Sequence, residues 1–151
     1  MKTSSILTAV AGLLLSVTST FAKAPPGWTE DYAKAMETAK TEHKHVLLDF
    51  TGSDWCSWCM KLDKEIFDKP AFKTFAKDTL VLVKVDFPRA TPISDKIKKQ
   101  NAKLEQKFGI EGYPTLFILD AEGKQVWKGG YMEGGPDAFI KATKSVVEKK
   151  G

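Results

Sequence analysis

Trp55-Cys56-Ser57-Trp58-Cys59 holds the only two cysteines of this 151-residue chain, spaced C-x-x-C. Thiols at that spacing close a disulfide across one helical turn and reopen it by exchange. The apolar run Val46-Leu47-Leu48-Asp49-Phe50 precedes them, and an amphipathic stretch from Met60 to Phe67 follows. A strand that hands a C-x-x-C to the first turn of a helix places Cys56 among unpaired backbone N–H groups. The positive end of the helix dipole stabilises a thiolate there. Free cysteine titrates at about 8.5, and such a setting lowers it to roughly 3.5–7.5. Cys56 is therefore the expected nucleophile. Cys59, one turn along and nearer the buried side, is the expected resolving thiol.

Other uses of the same residues are less consistent with the spacing. A structural bridge across so small a loop restrains the unfolded chain weakly compared with a long-range one. His43 and His45 complete a Cys2His2 set by count, but His45 begins the strand that ends near the motif. Six steps to Thr51 span roughly 20 Å at about 3.3 Å per residue, so no metal site is expected. A c-type haem would need a histidine after Cys59, where Met60 stands. The formal net charge is +4, yet the basic residues lie beside acids in helical patterns and form no stripe, so no nucleic-acid role is expected.

The elements that must position the motif are readable from periodicity. Lys2, the short apolar core Ile6 to Val17 and Thr20-Phe21-Ala22 are the pattern of a cleaved signal peptide over residues 1–22. Cleavage after Ala22 leaves 129 residues, 23–151, as one expected domain with no membrane anchor. The lost segment carries one lysine and no acid, so the charge falls to +3. Trp28, Tyr32, Ala35, Met36 and Ala39 share a helical face. Val46 to Thr51 and Thr79 to Asp86 read as buried strands, with a restarted helix around Pro70 between them. Ser94 opens a helix through Phe108 that Gly109 ends in a left-handed cap. Thr115 to Leu119 and Lys124 to Lys128 form a hairpin around Asp120-Ala121-Glu122-Gly123. Pro136 opens a last helix. The order α-β-α-β-α-β-β-α predicts an α/β fold with a mixed sheet of about four strands and helices on both faces.

The Cys56–Cys59 motif, Asp49 in the strand before it and Tyr113-Pro114-Thr115 together resemble the thioredoxin superfamily across about residues 28 to 149. The run Cys59 to Phe67 is similar to exported thioredoxin-like proteins and the catalytic domain of DsbD-type thiol reductases. The resemblance implies the thioredoxin fold and thiol–disulfide exchange on protein thiols and disulfides without a bound cofactor. It implies a buried acid, Asp49, that takes the proton of Cys59. It also implies a cis Pro114 whose loop, Tyr113 to Thr115, binds substrate. Trp55, Trp58 and Tyr113 are the expected apolar rim, with Trp55 the most solvent-facing. The lysine that thioredoxin pairs with its acid falls at Leu82, and the pair between the cysteines is Ser-Trp where thioredoxin has Gly-Pro. The loop Thr51 to Trp55 and the segment Asp86 to Gly109 are both longer than thioredoxin's. Export implies a periplasmic or secreted protein re-reduced by a membrane thiol carrier. A thioredoxin-fold binding or chaperone module with a static disulfide, or a metal chaperone, are the alternative functions.

Overall fold

The computed structural model describes residues 23–148. The expected signal segment, residues 1–22, lies outside the described residues. The elements are β1 (Trp28–Thr29), α1 (Tyr32–Glu42), β2 (His45–Thr51), α2 (Ser57–Leu62) and α3 (Pro70–Thr79). After them come β3 (Leu80–Asp86), α4 (Asp95–Phe108), β4 (Thr115–Leu119), β5 (Gln125–Gly129) and α5 (Gly135–Val147). A π-helical turn, Asp63–Phe67, extends α2.

The strands form one sheet in the order β1-β3-β2-β4-β5. β2 runs parallel to β3 and antiparallel to β4, so the strand that leads to the cysteines is central and buried on both faces. Alternation sorts its side chains. Leu47, with Leu82, Leu116 and Ile118, packs against Leu62, Ile66, Phe67, Phe72 and Phe139. Val46, Leu48 and Phe50, with Val83, Val85 and Phe117, pack against Ala35, Ala39 and Leu104. α2, α3 and α5 thus cover one face, α1 and α4 the other. Asp49 shares the Leu47 face, beneath the helix that carries the cysteines.

Two expectations change. The sheet has a fifth strand, because Trp28 and Thr29 pair parallel with Leu82 and Val83. Trp28 therefore does not belong to the first helix. That helix starts at Tyr32 because the Asp31 carboxylate caps it, accepting the Lys34 N–H at 3.1 Å. The caps at the other end of the site follow the sequence: Ser94 Oγ accepts the Ile97 N–H at 3.3 Å, and Gly109 ends α4 at φ +59°.

Candidate active site

Four residues, Gly52 to Trp55, carry the chain from β2 to the cysteines. The N–H groups of Trp55 and Cys56 donate to the Gly52 carbonyl at 3.2 and 2.9 Å. Ser53 is tied to the end of β3, its N–H and hydroxyl donating to Asp86 at 2.9 and 2.5 Å. Gly52 is required by contact: a Cβ there would stand 2.3 Å from Cε2 of Trp55. The turn delivers Cys56 as the N-cap of α2, where Sγ accepts the Cys59 N–H at 3.2 Å. A cap of this kind favours negative charge on the sulfur, since its donor is one of the orphan N–H groups of the helix start. Cys56 and Cys59 are joined in a disulfide. Cys56 retains 7 % of its accessible surface and Cys59 1 %, so the outer sulfur is the reachable one.

Asp49 lies fully inside, and Lys84 is its partner. The strand register sets them opposite each other, with the Lys84 ammonium 3.1 Å from Asp49 Oδ2. This corrects the expected lysine position: Leu82 faces Leu47, and the paired lysine lies two residues later on the same face. Lys84 Nζ donates to Asp63 Oδ1 at 2.6 Å, and its approach to Asp49 falls outside hydrogen-bond geometry, as does every other donor's. The Asp49–Lys84 contact is an ion pair by distance only. Burial raises the Asp49 carboxyl to about 6, and the charge of Lys84 opposes that rise without cancelling it. Burial alone would lower Lys84, but the carboxylates of Asp49 and Asp63 hold it above its ordinary value. Asp63 in turn donates its backbone N–H to the carbonyls of Cys59 and Met60. The Asp49–Lys84–Asp63 row therefore joins the central strand to the helix turn that carries Cys59. Sequence reasoning missed Lys84 and Asp63; the signal was a lysine inside the apolar strand LVLVKVD.

The Tyr113–Pro114 peptide bond is cis, as expected. Thr115 Oγ1 donates to the Gly112 carbonyl at 2.7 Å and tightens this loop at the start of β4. The Tyr113 ring meets Trp55 edge to face at 5.7 Å, and its hydroxyl donates to Glu105 of α4. The cis-proline loop is thereby fixed beside the residue that precedes Cys56.

The rim is arranged differently from expectation. Trp58 is the exposed tryptophan, at 54 %, with Met60 exposed beside it. Trp55 is half-buried because its Nε1–H donates to the Phe87 carbonyl at 2.8 Å and its ring is enclosed by Tyr113 and Arg89. Trp58 leans on Tyr131 at 5.3 Å, and Tyr131 donates to Glu65 Oε2 at 2.6 Å. His43 and His45 stand at the opposite end of β2, beside a cavity lined also by Asp120 and Glu122. Among the described residues no cluster of three or more His, Cys, Asp or Glu is placed to hold a metal ion. None of the described helices is long and apolar enough to cross a membrane.

Comparison with known proteins agrees with this geometry. Residues 32–146 match the family described as Thioredoxin-like domain. The chain is 38 % identical over 138 residues to the disulfide bond reductase DsbH of Chlamydia pneumoniae, covering 91 % of this chain and 82 % of that protein. A solved structure of a DsbH oxidoreductase superposes with a TM-score of 0.77 at 37 % identity, over 92 % of this chain and 96 % of that one. The thiol:disulfide interchange protein DsbD of Photorhabdus laumondii is 31 % identical over 58 % of this chain, a match that covers 14 % of that longer protein. On the family match, the relatives and the fold together, the chain belongs to the thioredoxin-like domain family.

Proposed function

We propose that the chain is an exported thiol–disulfide oxidoreductase that reduces or isomerises disulfides in other proteins. The observation that carries this reading is Cys56 itself: the outer partner of a C-x-x-C disulfide, capping a helix with its sulfur toward the Cys59 N–H. In the dithiol form, the Cys56 thiolate attacks one sulfur of a substrate disulfide. The substrate S–S bond breaks, one substrate thiolate leaves, and a mixed disulfide with Cys56 remains. Cys59 then gives its proton to Asp49, directly or through water, and attacks Cys56 Sγ. The internal disulfide forms and the second substrate thiolate departs. Two electrons have passed from the chain to the substrate.

The backbone of Tyr113, Pro114 and Thr115, held against Trp55, is where a substrate segment pairs in β fashion. Trp55 and Trp58 flank it. No bound cofactor is needed, since the electrons reside on the two sulfurs. The basic and apolar pattern of residues 1–22 supports export and signal removal, leaving residues 23–151 as the domain. Continued turnover outside the cytosol then requires a thiol donor held in the membrane.

Insulin reduction with dithiothreitol tests the reading. The protein accelerates it, Cys56→Ser abolishes the acceleration, and Cys59→Ser accumulates mixed disulfides. A Cys56–Cys59 potential below about −300 mV, the range of structural bridges, with no effect of either variant returns the chain to a binding module.

A further inference from the structure

Arg89 is the only arginine among the chain's 23 basic residues. Its guanidinium lies 4.0 Å from the centroid of the Trp55 ring, one residue from Cys56. The segment that bears it has no regular structure, yet two neighbouring side chains of the active-site loop hold it. The Asp54 carboxylate accepts the N–H groups of Arg89, Ala90 and Thr91 at 2.9, 2.8 and 2.9 Å. The Trp55 indole donates to the Phe87 carbonyl at 2.8 Å. Four hydrogen bonds from residues 54 and 55 therefore fix residues 87–91 against the turn that positions the nucleophile. The backbone donors keep the Asp54 carboxyl low, at about 2, so the clamp is charged at neutral pH.

Stacking occupies the face of a guanidinium and leaves its N–H donors, which lie in the plane, pointing outward. The Arg89 side chain is exposed and makes no ion pair among the described residues. A cavity of about 520 Å³ adjoins it, bounded by Phe87, Thr91, Ile93 and α4. Two acids share that wall and keep their charge, their oxygens turned to neutral donors of the chain itself, Asp86 to Ser53 and Glu105 to Tyr113. The cations on that wall are Arg89, at the outer end of the loop, and Lys98, which faces only the exposed Asp95 at 3.8 Å. A planar cation with open donors and no acid of its own suits a carboxylate held by two parallel hydrogen bonds.

We propose that Arg89, held on Trp55 by the Asp54 clamp, is a carboxylate-binding subsite that selects disulfides flanked by Asp or Glu. The proposal rests on the exchange reading above and adds a substrate class to it. It makes Arg89 a specificity residue, acting on the encounter with substrate and leaving the sulfur chemistry to Cys56 and Cys59.

The test uses the reduced chain in single turnover against three disulfide-bridged peptides of one length, with Asp, Gln or Lys beside the cysteine. The Asp peptide is expected to react about five- to tenfold faster than the Lys peptide at 50 mM salt, and the ratio to shrink at 500 mM. Arg89→Glu inverts the ratio, whereas Lys141→Glu, the same charge change on α5, leaves it in place. Arg89→Lys retains only part of it, because a lysine neither stacks nor forks. Equal rates on the Asp and Lys peptides with brisk reduction of the Gln peptide overturn the subsite and spare the exchange reading. So does a loss of preference in Lys141→Glu as large as in Arg89→Glu. Failure to reduce any of the three overturns both. The ratio and its salt dependence in the unaltered chain decide the matter even if Arg89→Glu folds poorly.

Discussion

Each cysteine follows a tryptophan, and the two Trp–Cys pairs are built from the same parts to opposite ends. Trp55 meets Tyr113, which donates to Glu105, and carries the Arg89 guanidinium on its face. Trp58 meets Tyr131, which donates to Glu65, and carries the Lys61 ammonium at 4.8 Å. The first group is anchored through the indole N–H and the Asp54 clamp. The second stands in solvent. The sulfurs run the other way, since Cys56 beside the anchored ring is the more accessible and Cys59 beside the open ring is sealed. The difference is instructive: a sulfur that meets strangers is given a rigid wall. On the proposed mechanism the sulfur that meets only Cys56 relies on a buried base instead, and the exposed Trp58 ring is left to adapt to different partners.

The largest expected effect separates the two sulfurs. Asp49→Asn is expected to slow the attack of Cys59 on the mixed disulfide by about 10²-fold near pH 7, the scale of a lost general base. The first attack by Cys56 changes little. In the native chain the resolving step gains an inflection near pH 6, where the buried Asp49 ionises; the variant lacks it. Stability moves in the opposite sense. Asp49 titrates higher in the folded chain than unfolded, so the native state holds its proton more tightly and loses stability as pH rises from about 4 through 6. Asp49→Asn is then the more stable protein at pH 8, by on the order of 2 kcal/mol, and the advantage vanishes below pH 4. Rapid-quench trapping of the mixed disulfide and denaturant titrations at two pH values check both halves. Equal slowing of both attacks breaks the division of labour.

The two tryptophans come next. Trp55→Ala removes a half-buried ring and its hydrogen bond, and is expected to cost about 2–3 kcal/mol. Trp58→Ala is expected to stay within about 0.5 kcal/mol, like other exposed positions, and to raise KM for protein substrates while sparing small disulfides. Gly52→Ala drives a methyl into Trp55 and costs about 1–3 kcal/mol. Urea unfolding followed by tryptophan emission reads all three. A Trp58→Ala loss as large as that of Trp55→Ala shows the open side to be as structural as the clamped one.

How much of this was legible in the sequence divides along the same line. The strand, the helix that follows it and the C-x-x-C between them declare themselves by local periodicity, and so does the glycine cap of α4. The cis Pro114 was expected from the Tyr113-Pro114-Thr115 resemblance. The Lys84 pairing was missed because it depends on register, and a two-residue shift keeps the same face while exchanging Leu82 for Lys84. β1 is two residues long and leaves no alternation to detect, while Trp28 happens to sit one helical turn before Tyr32. Trp55 was expected in solvent because its partners, Phe87 and Arg89, are more than 30 residues away. Nothing near Trp55 in the chain announces them. Trp58, whose helix neighbours Lys61 and Glu65 are local, lacks a comparable anchor from β3's loop.

The smallest effect, and the one most specific to the clamped side, is its response to acid. Asp54 is exposed, so removing it leaves no cavity; what it holds is the backbone of residues 89–91. Those three donors depress its carboxyl to about 2 from the ordinary 3.8, so the folded state favours the charged form. Its contribution is complete above pH 4 and is lost as the pH falls toward 2. Asp54→Asn keeps the shape of the acceptor but not its charge, and is expected to bring that loosening to neutral pH. Amide hydrogen exchange of Arg89, Ala90 and Thr91 measures it: faster in the variant at pH 7, with the amides of the Trp58 helix unchanged. Slow exchange at all three amides in Asp54→Asn would mean that the loop is held by the Trp55–Phe87 bond alone. The asymmetry between the two sides would then rest on the indole and not on the carboxylate.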